Sequence, residues 1–327
     1  MPQHLRMLLA GALLASIPQF TYAENFPTRP LRILVPYSAG GVADLLARTV
    51  NEKLAADLGQ PVIVEARPGA NGSIATDAVA KSAPDGQTML LTPVSHAINP
   101  SLSKVPWHPV QDFAGVALVA EAVLTLAVTP SLPAKTVPEL IAYAKERPGE
   151  LNYAHPGKGT PVHMSMELFM KQTGIKLTAV SYRGIPPALM DFLNGQLHVG
   201  FFPVGQIAPH VETGKARALA VLGPTRLKKF ADVPTMTEIG FAPSQMARPW
   251  FVLLVPKRTP RSRVDRLHAG IAKALADPDV KAAIERLGNV VLPPDTPQGV
   301  DQFLASEFER WQKFIAETGL ALETGQN

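Results

Sequence analysis

The sequence of 327 residues contains no cysteine. This absence excludes disulfide bonds, a thiol nucleophile, cysteine-ligated metals and a lipid-anchored cysteine. Aromatic residues amount to only 6%, and the formal net charge is +4 with basic and acidic residues interspersed. Because no run of lysine and arginine is interleaved with aromatics, we expect no nucleic-acid partner. The mild positive charge favours small anionic partners only in a general way.

Long apolar stretches are also scarce, and the main one lies at the N-terminus. Residues 1–23 contain Arg6, then an apolar run over residues 7–17, and end in Thr21-Tyr22-Ala23. This order is typical of a secretory signal peptide that is cleaved near Ala23. No later stretch has the length and apolarity of a transmembrane helix. We therefore expect a protein exported to the periplasm, without stable membrane insertion.

Catalytic motifs are missing as well. The sequence has no Gly-x-Ser-x-Gly elbow, and no pair of carboxylates typical of a glycosidase can be singled out. His163 and Glu167, four residues apart, could chelate a metal ion, but no His-Glu-x-x-His pattern or third ligand accompanies them. We therefore expect a binding protein without metal or cofactor, and not an enzyme. A secreted α/β hydrolase or transferase is the enzyme alternative.

Apolar strand-type segments alternate with helical segments along the chain. Residues 31–35, 62–65 and 88–92 are strand-like, and each is followed by a turn and a helical pattern. This rhythm predicts an α/β fold with mostly parallel sheets flanked by helices and with ligand sites beyond the carboxyl ends of the strands. The last helical segment repeats apolar residues at helical spacing, which predicts a core stripe. These residues are Val300, Phe303, Leu304, Phe308, Trp311 and Ile315.

A mature chain of roughly 300 residues exceeds one ordinary hydrophobic core, so we expect two domains. The apolar segments 116–128 and 216–221 are predicted to be the strands that cross between them. Domain 1 would then comprise residues 24–118 and 224–327, and domain 2 would comprise residues 119–223. We expect the two domains to close over a ligand by a hinge motion about these crossovers.

The segment from Val35 to Asp44 joins a strand to a helix through a turn that contains Tyr37, Ser38, Ala39, Gly40 and Gly41. The glycines stand at a helix N-terminus, where unpaired N–H groups and the positive end of the helix dipole favour an anion. Asp44 lies in the first helical turn and can cap backbone donors. The same pattern also fits an ordinary strand-to-helix turn with a satisfied cap, and the spacing alone leaves both interpretations open.

A second segment of the same kind contains His155, Gly157, Lys158, Gly159 and Thr160. Its glycines permit a close approach to the main chain, Lys158 supplies positive charge, and the Thr160 hydroxyl can cap the helix or bind a ligand oxygen. The spacing fits neither a dinucleotide fingerprint nor a P-loop.

Two further turns follow the second and third strands of domain 1. The turn after the third strand contains Ser95 and His96, and the turn after the second strand contains Arg67-Pro68-Gly69-Ala70-Asn71-Gly72-Ser73. Because the carboxyl ends of parallel strands meet at one edge of a sheet, we expect the turns of domain 1 to face one crevice.

Further motifs run through the mature chain in order. They are Phe26-Pro27-Thr28-Arg29-Pro30, Glu65-Ala66-Arg67-Pro68-Gly69-Ala70-Asn71-Gly72, Ala83-Pro84-Asp85-Gly86, His96-Ala97-Ile98-Asn99-Pro100, Leu151-Asn152-Tyr153-Ala154, Tyr182-Arg183-Gly184, Pro209-His210, Asp232-Val233-Pro234-Thr235 and Trp250-Phe251. Together with the first glycine turn, they resemble the Bug family, the periplasmic substrate receptors of tripartite tricarboxylate transporters.

The resemblance implies a two-lobed periplasmic-binding-protein fold, type II-like, that closes on a small carboxylate in the manner of a Venus flytrap. It implies a monomeric receptor that delivers its ligand to a small and a large membrane subunit. It also implies that backbone N–H groups and bridging waters of two loops hold the ligand. These loops correspond to Ser38, Ala39, Gly40, Gly41 and Asp44, and to His155, Gly157, Gly159, Thr160 and His163. A sensor module for a membrane kinase has the same fold and is an alternative.

The sequence departs from the family pattern at three places that concern the ligand. His155 stands where a serine is common, Phe202 stands where an acidic residue is often present, and Arg248 precedes Pro249-Trp250. If Phe202 and Arg248 face the cleft, an aromatic ring replaces the partner of a ligand ammonium group and a guanidinium can bind a second carboxylate bidentately. This predicts a dicarboxylate with an apolar or aromatic middle. Alternatively, Phe202 lies in the core and Arg248 on the surface.

Overall fold

The computed structural model describes residues 26–182, 184–223, 225–241, 247, 249–293 and 295–318. The predicted signal peptide and Arg248 lie outside these residues. The strands are β1 (Leu31–Val35), β2 (Val62–Ala66), β3 (Thr88–Pro93), β4 (Phe113–Ala122), β5 (Leu124–Val128), β6 (Asn152–His155), β7 (Thr178–Ser181), β8 (Val199–Pro203), β9 (Arg217–Leu222), β10 (Trp250–Pro256) and β11 (Asn289–Val291). The helices are α1 (Val42–Leu58), α2 (Ser73–Ala80), α3 (Ser95–Leu102), α4 (Val137–Glu146), α5 (Pro161–Thr173), α6 (Ile185–Leu193), α7 (Val204–Glu212), α8 (Arg261–Ala276), α9 (Pro278–Arg286) and α10 (Pro297–Thr318).

The strands form two sheets, which confirms the predicted α/β class with helices flanking each sheet. The first sheet has the order β11-β4-β10-β3-β1-β2, and the second has the order β7-β6-β8-β5-β9. We call the part built on the first sheet lobe 1 and the part built on the second sheet lobe 2. Each sheet is mixed: β1, β2 and β3 are parallel, as are β6, β7 and β8, whereas β10 and β5 run antiparallel to their neighbours. β5 and β10 each follow a passage between the two sheets, and the edge strand β11 also runs antiparallel to β4.

The long apolar segment 116–128 divides between the two sheets at Val123. β4 ends in the first sheet at Ala122, and β5 begins in the second sheet at Leu124. The Val123 N–H donates to the Gly288 carbonyl (3.2 Å), and the Val123 carbonyl accepts the Val204 N–H (2.9 Å). The chain returns to the first sheet between β9 and β10. The limits given above for the two domains stay a prediction.

Each sheet is covered on both faces, and the alternation of side chains along a strand decides which core each residue enters. In β1, Ile33 and Val35 face one core of lobe 1, and Leu34 faces the other. In β8, Phe201 and Phe202 enter opposite cores of lobe 2. The predicted stripe of α10 is also confirmed, because Val300, Leu304, Trp311 and Ile315 are buried and Phe303 and Phe308 are partly buried against the same core.

Helix boundaries follow the expected local signals. Thr136 accepts the Glu139 N–H at the start of α4, and Pro161 opens α5. Gly59 and Gly174 end α1 and α5 in left-handed conformations that a glycine adopts without strain. Within the described part of the chain, no helix combines the length and the apolarity needed to cross a membrane.

Besides the crossovers, α5 joins the two lobes through an apolar contact that the sequence did not reveal. Met164 and Leu168 of α5 belong to the same buried cluster as Ile98 and Leu102 of α3 and Trp311 of α10. At the far end of α5, Lys171 lies 3.4 Å from the Glu317 carboxylate and over the Phe314 ring. Helix α5 of lobe 2 is therefore packed directly on lobe 1.

This packing predicts that Met164→Ala lowers the free energy of unfolding by about 2–5 kcal/mol, because truncation leaves a cavity in a fully buried cluster. Urea unfolding of the purified protein measures the loss. Met190→Ala is the matched control, since Met190 is 58% exposed and its truncation should stay within about 0.5 kcal/mol. Equal losses in the two variants would contradict the buried contact.

Candidate functional site

The first glycine turn lies between β1 and α1, where the sequence predicted it. Gly40 has a left-handed conformation (φ 78°), and its N–H donates to Asp44 Oδ2 at 3.0 Å. The Gly41 N–H donates to the Ser38 carbonyl at 3.1 Å. Both glycine N–H groups therefore have acceptors within the turn, while Ser38, Ala39 and Gly40 are exposed.

Asp44 holds this turn and carries a compensated charge. Its carboxylate is buried and accepts two hydrogen bonds from Arg48, at 3.0 and 3.1 Å. Burial opposes ionisation of Asp44, but the hydrogen bonds from Arg48 and from the Gly40 N–H outweigh it and lower the pKa of the carboxyl. Asp44 is therefore anionic and serves as the predicted cap.

The second glycine turn, between β6 and α5, is held by two histidines. The Gly157 N–H donates to His155 Nδ1 and the Gly159 N–H donates to His163 Nδ1, each at 3.2 Å. The Thr160 hydroxyl donates to the Gly157 carbonyl at 2.7 Å. The two glycines have φ values of 138° and 77°, which side chains with a Cβ rarely adopt. The glycine N–H donors expected to face a ligand are thus engaged by imidazoles.

Burial keeps both imidazoles neutral. His155 and His163 are 3% and 6% exposed, and their rings lie 4.6 Å apart. Burial, together with the proximity of His155 and Lys158, lowers the pKa of His163 to about 3. Burial, with a smaller contribution from Lys158, also lowers the pKa of His155. His155 is therefore uncharged, and Lys158, the residue expected to supply positive charge, is exposed.

Glu167 faces this pair from the next turn of α5. It accepts the Tyr153 hydroxyl at 2.7 Å and lies 3.6 Å from His163 Nε2. Burial and the hydrogen bond to Glu167 raise the pKa of Tyr153. Among the described residues, no group of three or more His, Asp or Glu side chains is placed to hold a metal ion. His163 and Glu167 are thus part of the support of the glycine turn.

A network of polar side chains connects the turns of lobe 1 with the glycine turn of lobe 2. Tyr37 Oη lies 2.8 Å from Ser95 Oγ and 3.4 Å from Asn71 Oδ1. Asn71 Nδ2 donates to Asn99 Oδ1 at 2.8 Å and to the Lys158 carbonyl at 2.9 Å. The turns after β1, β2 and β3 therefore face one crevice, and the turn after β6 meets them there.

Asn71 and Asn99 are absent from the candidates selected from the sequence. Asn71 lies in a glycine-rich turn after β2 that repeats the pattern of the first turn, and this repetition was the available signal. Asn99 gives no such signal, because it lies inside α3 and only the approach of the two turns places it at the site.

The structure corrects the assignment of His96 to the site. Its ring is 1% exposed, stacks on Trp107 at 5.0 Å and contacts the edge of Phe113 at 4.8 Å. His96 Nε2 lies 3.0 Å from the Pro109 carbonyl, and burial lowers the pKa of the imidazole to about 4. His96 is a core histidine of lobe 1, whereas its neighbour Ser95 points to Tyr37.

The assignment of Phe202 is corrected as well. Its side chain is 1% exposed and packs against Phe192, with ring centroids 4.7 Å apart, in the core of lobe 2. The alternation along β8 turns Phe202 towards α6 and away from a ligand. The ring cannot stack on a ligand from this position. Arg248 lies outside the described residues.

The fold and the site define the class of protein: two α/β lobes with glycine turns from both lobes at one crevice, the arrangement of the periplasmic binding proteins. Residues 46–320 match the model of the TctC family, which is described as "Tripartite tricarboxylate transporter family receptor". The chain is 37% identical over 306 residues to protein BugT of Bordetella pertussis, covering 92% of this chain and 93% of BugT. It belongs to the family of tripartite tricarboxylate transporter receptors, to which the Bug proteins are related.

Two solved structures agree with this membership. R. palustris Rpa4515 with adipate superposes with a TM-score of 0.81 at 33% sequence identity, covering 91% of this chain and 99% of that chain. MatC from Rhodopseudomonas palustris with bound malate superposes with a TM-score of 0.78 at 31% identity, covering 89% of this chain and 100% of that chain. The predicted family is therefore confirmed.

The neutral histidine at the second glycine turn predicts a loss of stability in acid. An imidazole in the unfolded chain titrates near 6.5, whereas folded His163 does so near 3. Below pH 6.5 the unfolded chain takes up a proton that the folded chain does not, so the free energy of unfolding should fall by of order 1 kcal/mol per pH unit. Urea unfolding between pH 7 and 4.5 measures this slope.

His163→Gln should make that slope shallower by about 1.4 kcal/mol per pH unit, since a glutamine oxygen can still accept the Gly159 N–H without titrating. The slope that remains comes from His96 and His155, whose pKa values burial also lowers. His210→Gln is the control, because His210 is a partly exposed histidine on α7. The interpretation fails if His163→Gln and the parent lose stability in parallel.

Proposed function

We propose that this protein is a solute receptor that captures a small dicarboxylate between its lobes and delivers it to the membrane subunits of a tripartite tricarboxylate-type transporter. One observation carries the proposal: Tyr37 of the first turn and Lys158 of the second turn both contact Asn71, so the turns of the two lobes meet. A receptor of this kind requires an exported protein, which the N-terminal 23 residues support. Such a receptor binds and releases its ligand without catalysing a reaction on it.

The local electrostatics support an anionic ligand. Helices α1 and α5 begin at the two turns, and the positive ends of their dipoles favour a carboxylate there. Lys158 is exposed beside the second turn and adds a cation. The Gly40, Gly41, Gly157 and Gly159 N–H groups already have acceptors. An entering carboxylate must therefore either displace these acceptors or bind the hydroxyl groups of Tyr37 and Ser95.

The sequence suggested a dicarboxylate with an apolar or aromatic middle, and the structure restricts this choice. The Phe202 ring packs on Phe192, so it does not offer a face on which the benzene ring of a ligand could stack. Adipate and malate, named in the structures of two relatives, are aliphatic dicarboxylates. We therefore propose an aliphatic dicarboxylate for this protein.

Calorimetric titration of the leaderless protein with adipate, malate, terephthalate, citrate and aspartate tests this class. We expect an aliphatic dicarboxylate to bind most tightly. Preference for citrate or aspartate would reject the ligand class and leave the receptor assignment intact, and absence of binding by every carboxylate would reject both.

Gly41→Val should weaken binding of the preferred dicarboxylate by about 2 kcal/mol, the size of a lost charge-assisted hydrogen bond with its desolvation. The backbone of Gly41 (φ −72°) suits a residue with a side chain. Among the described residues, apart from its chain neighbours and the backbone of α1, an added Cβ would meet the Ser38 carbonyl oxygen at 3.1 Å, which must shift by a few tenths of an ångström. The valine would therefore project over the N-terminus of α1 in a folded protein. Calorimetry on this variant and on Ala142→Val, an exposed control on α4, measures the difference. Unchanged affinity in a folded Gly41→Val protein would remove this turn from the site.

Ligand binding should also bring the lobes together, because a cleft excludes water from an anion only when it closes. Small-angle scattering with and without saturating adipate measures the radius of gyration. We expect a smaller radius with ligand, and superimposable curves at demonstrated saturation would contradict closure.

A further inference from the structure

The turn after β2 holds two residues with side chains, Ala70 and Asn71, in the left-handed backbone region that favours glycine. Gly69, Ala70, Asn71 and Gly72 have consecutive positive φ values of 131°, 45°, 50° and 90°. Asparagine tolerates the left-handed region better than other residues with a side chain, whereas alanine does not. Such strain persists where the surrounding structure over-determines it, and it often marks a functional turn.

This backbone conformation places the Asn71 side-chain amide between the lobes, where its oxygen and both its hydrogens form hydrogen bonds. Both Nδ2 hydrogens are donated, one to Asn99 Oδ1 and one to the Lys158 carbonyl. Asn71 Oδ1 accepts the Tyr37 hydroxyl, and the Asn71 carbonyl accepts Asn99 Nδ2 at 2.8 Å. Only the bond to Lys158 leaves lobe 1, so the other three aim the amide at the glycine turn of lobe 2.

Beside this bond, the glycine turn of lobe 2 sits directly on α3 of lobe 1. A Cβ on Gly159 would clash with the Leu102 side chain and would lie 3.4 Å from Ile98 Cγ2 and 3.5 Å from Asn71 Nδ2. The absence of a side chain at Gly159 thus lets the two lobes touch at the point where Asn71 reaches across.

We propose that Asn71 is a positioning residue that latches the glycine turn of lobe 2 onto lobe 1 and thereby sets the fraction of molecules in the closed, binding-competent state. The inference rests on the proposed function as a receptor and adds a residue that acts on closure without touching the ligand. When only the closed state binds productively, the apparent affinity scales with the closed fraction. Loss of the latch therefore weakens binding of every ligand that requires closure.

Two substitutions remove the latch in different ways. Asn71→Gly keeps the left-handed backbone and deletes the amide. Asn71→Asp keeps the shape but replaces the two donated hydrogens by a carboxylate oxygen facing Asn99 Oδ1 and the Lys158 carbonyl. Ala70→Gly is the matched control, because it changes a neighbouring residue of the same conformation (φ 45°) and deletes no side-chain hydrogen bond.

The distance between the lobes is the direct readout. The sequence has no cysteine, so Ala56→Cys on α1 and Ala142→Cys on α4, both exposed, provide a unique pair of spin labels across the lobes. Double electron–electron resonance gives the fraction of short inter-lobe distances without ligand and at a fixed adipate concentration. We expect this fraction to fall in Asn71→Gly and Asn71→Asp and to stay at the parent value in Ala70→Gly.

Adipate affinity is the second readout, and it should weaken about tenfold in Asn71→Gly, the factor for one lost hydrogen bond. The loss should come mainly from faster dissociation, which stopped-flow displacement measures. Asn71→Gly also deletes two hydrogen bonds within lobe 1, so some loss of stability is expected. A cooperative urea transition with a midpoint well above the conditions of the binding assay shows that the weaker binding does not come from an unfolded fraction. Distance distributions of both Asn71 variants that match the parent under both conditions would overturn the latch. If adipate and the other dicarboxylates leave the parent distances unchanged, the proposed ligand class fails, while the ligand-free comparison still decides the role of Asn71.

Discussion

The architecture of the crevice depends on giving acceptors to the main-chain N–H groups of two glycine turns. An irregular turn at a helix start has donors that the helix cannot satisfy, and leaving them without partners away from water is costly. The chain solves this with its own side chains. Asp44 accepts from Gly40, His155 from Gly157 and His163 from Gly159. Each of these acceptors is itself buried, so both turns are held from the inside. Ser38, Ala39 and Gly40 of the first turn stay exposed, whereas Gly159 of the second turn packs on α3 of lobe 1.

This support explains why the two lobes need different residues for the same task. In lobe 1 the acceptor is a carboxylate whose charge Arg48 balances at the protein surface. In lobe 2 the acceptors are buried as well, and His163 directly precedes Met164 of the apolar contact with α3, where an uncompensated carboxylate would be expensive. Neutral imidazoles accept the same hydrogen bonds without that cost. The sequence pattern of a glycine turn thus repeats, while the side chains that hold it follow the local environment.

Much of this organisation could be predicted from the sequence, because it depends on local signals. The strands, the glycine turns, the capping threonine of α4 and the stripe of α10 follow from periodicity and from capping residues. His96 was assigned to the site wrongly, and the position of Phe202 was left open between cleft and core, for a different reason. Their positions after or within a strand are visible in the sequence, but which core each ring enters depends on the registers of β3 and β8 and on the helices packed over them. Asn71 and Asn99 required the meeting of two lobes, which no local pattern encodes.

The strand order of the first sheet also constrains how the chain acquires its structure. β10 lies between β3 and β4 and pairs with both, although more than a hundred residues separate it from either of them in sequence. Until the segment up to Pro256 has been synthesised, β3 and β4 have no partner to join them, and their apolar edges stay unpaired. The second sheet is complete by Leu222. As the chain emerges from its N-terminus, its middle can therefore become compact first, while the N-terminal part waits longest for its partner strand and for protection from aggregation.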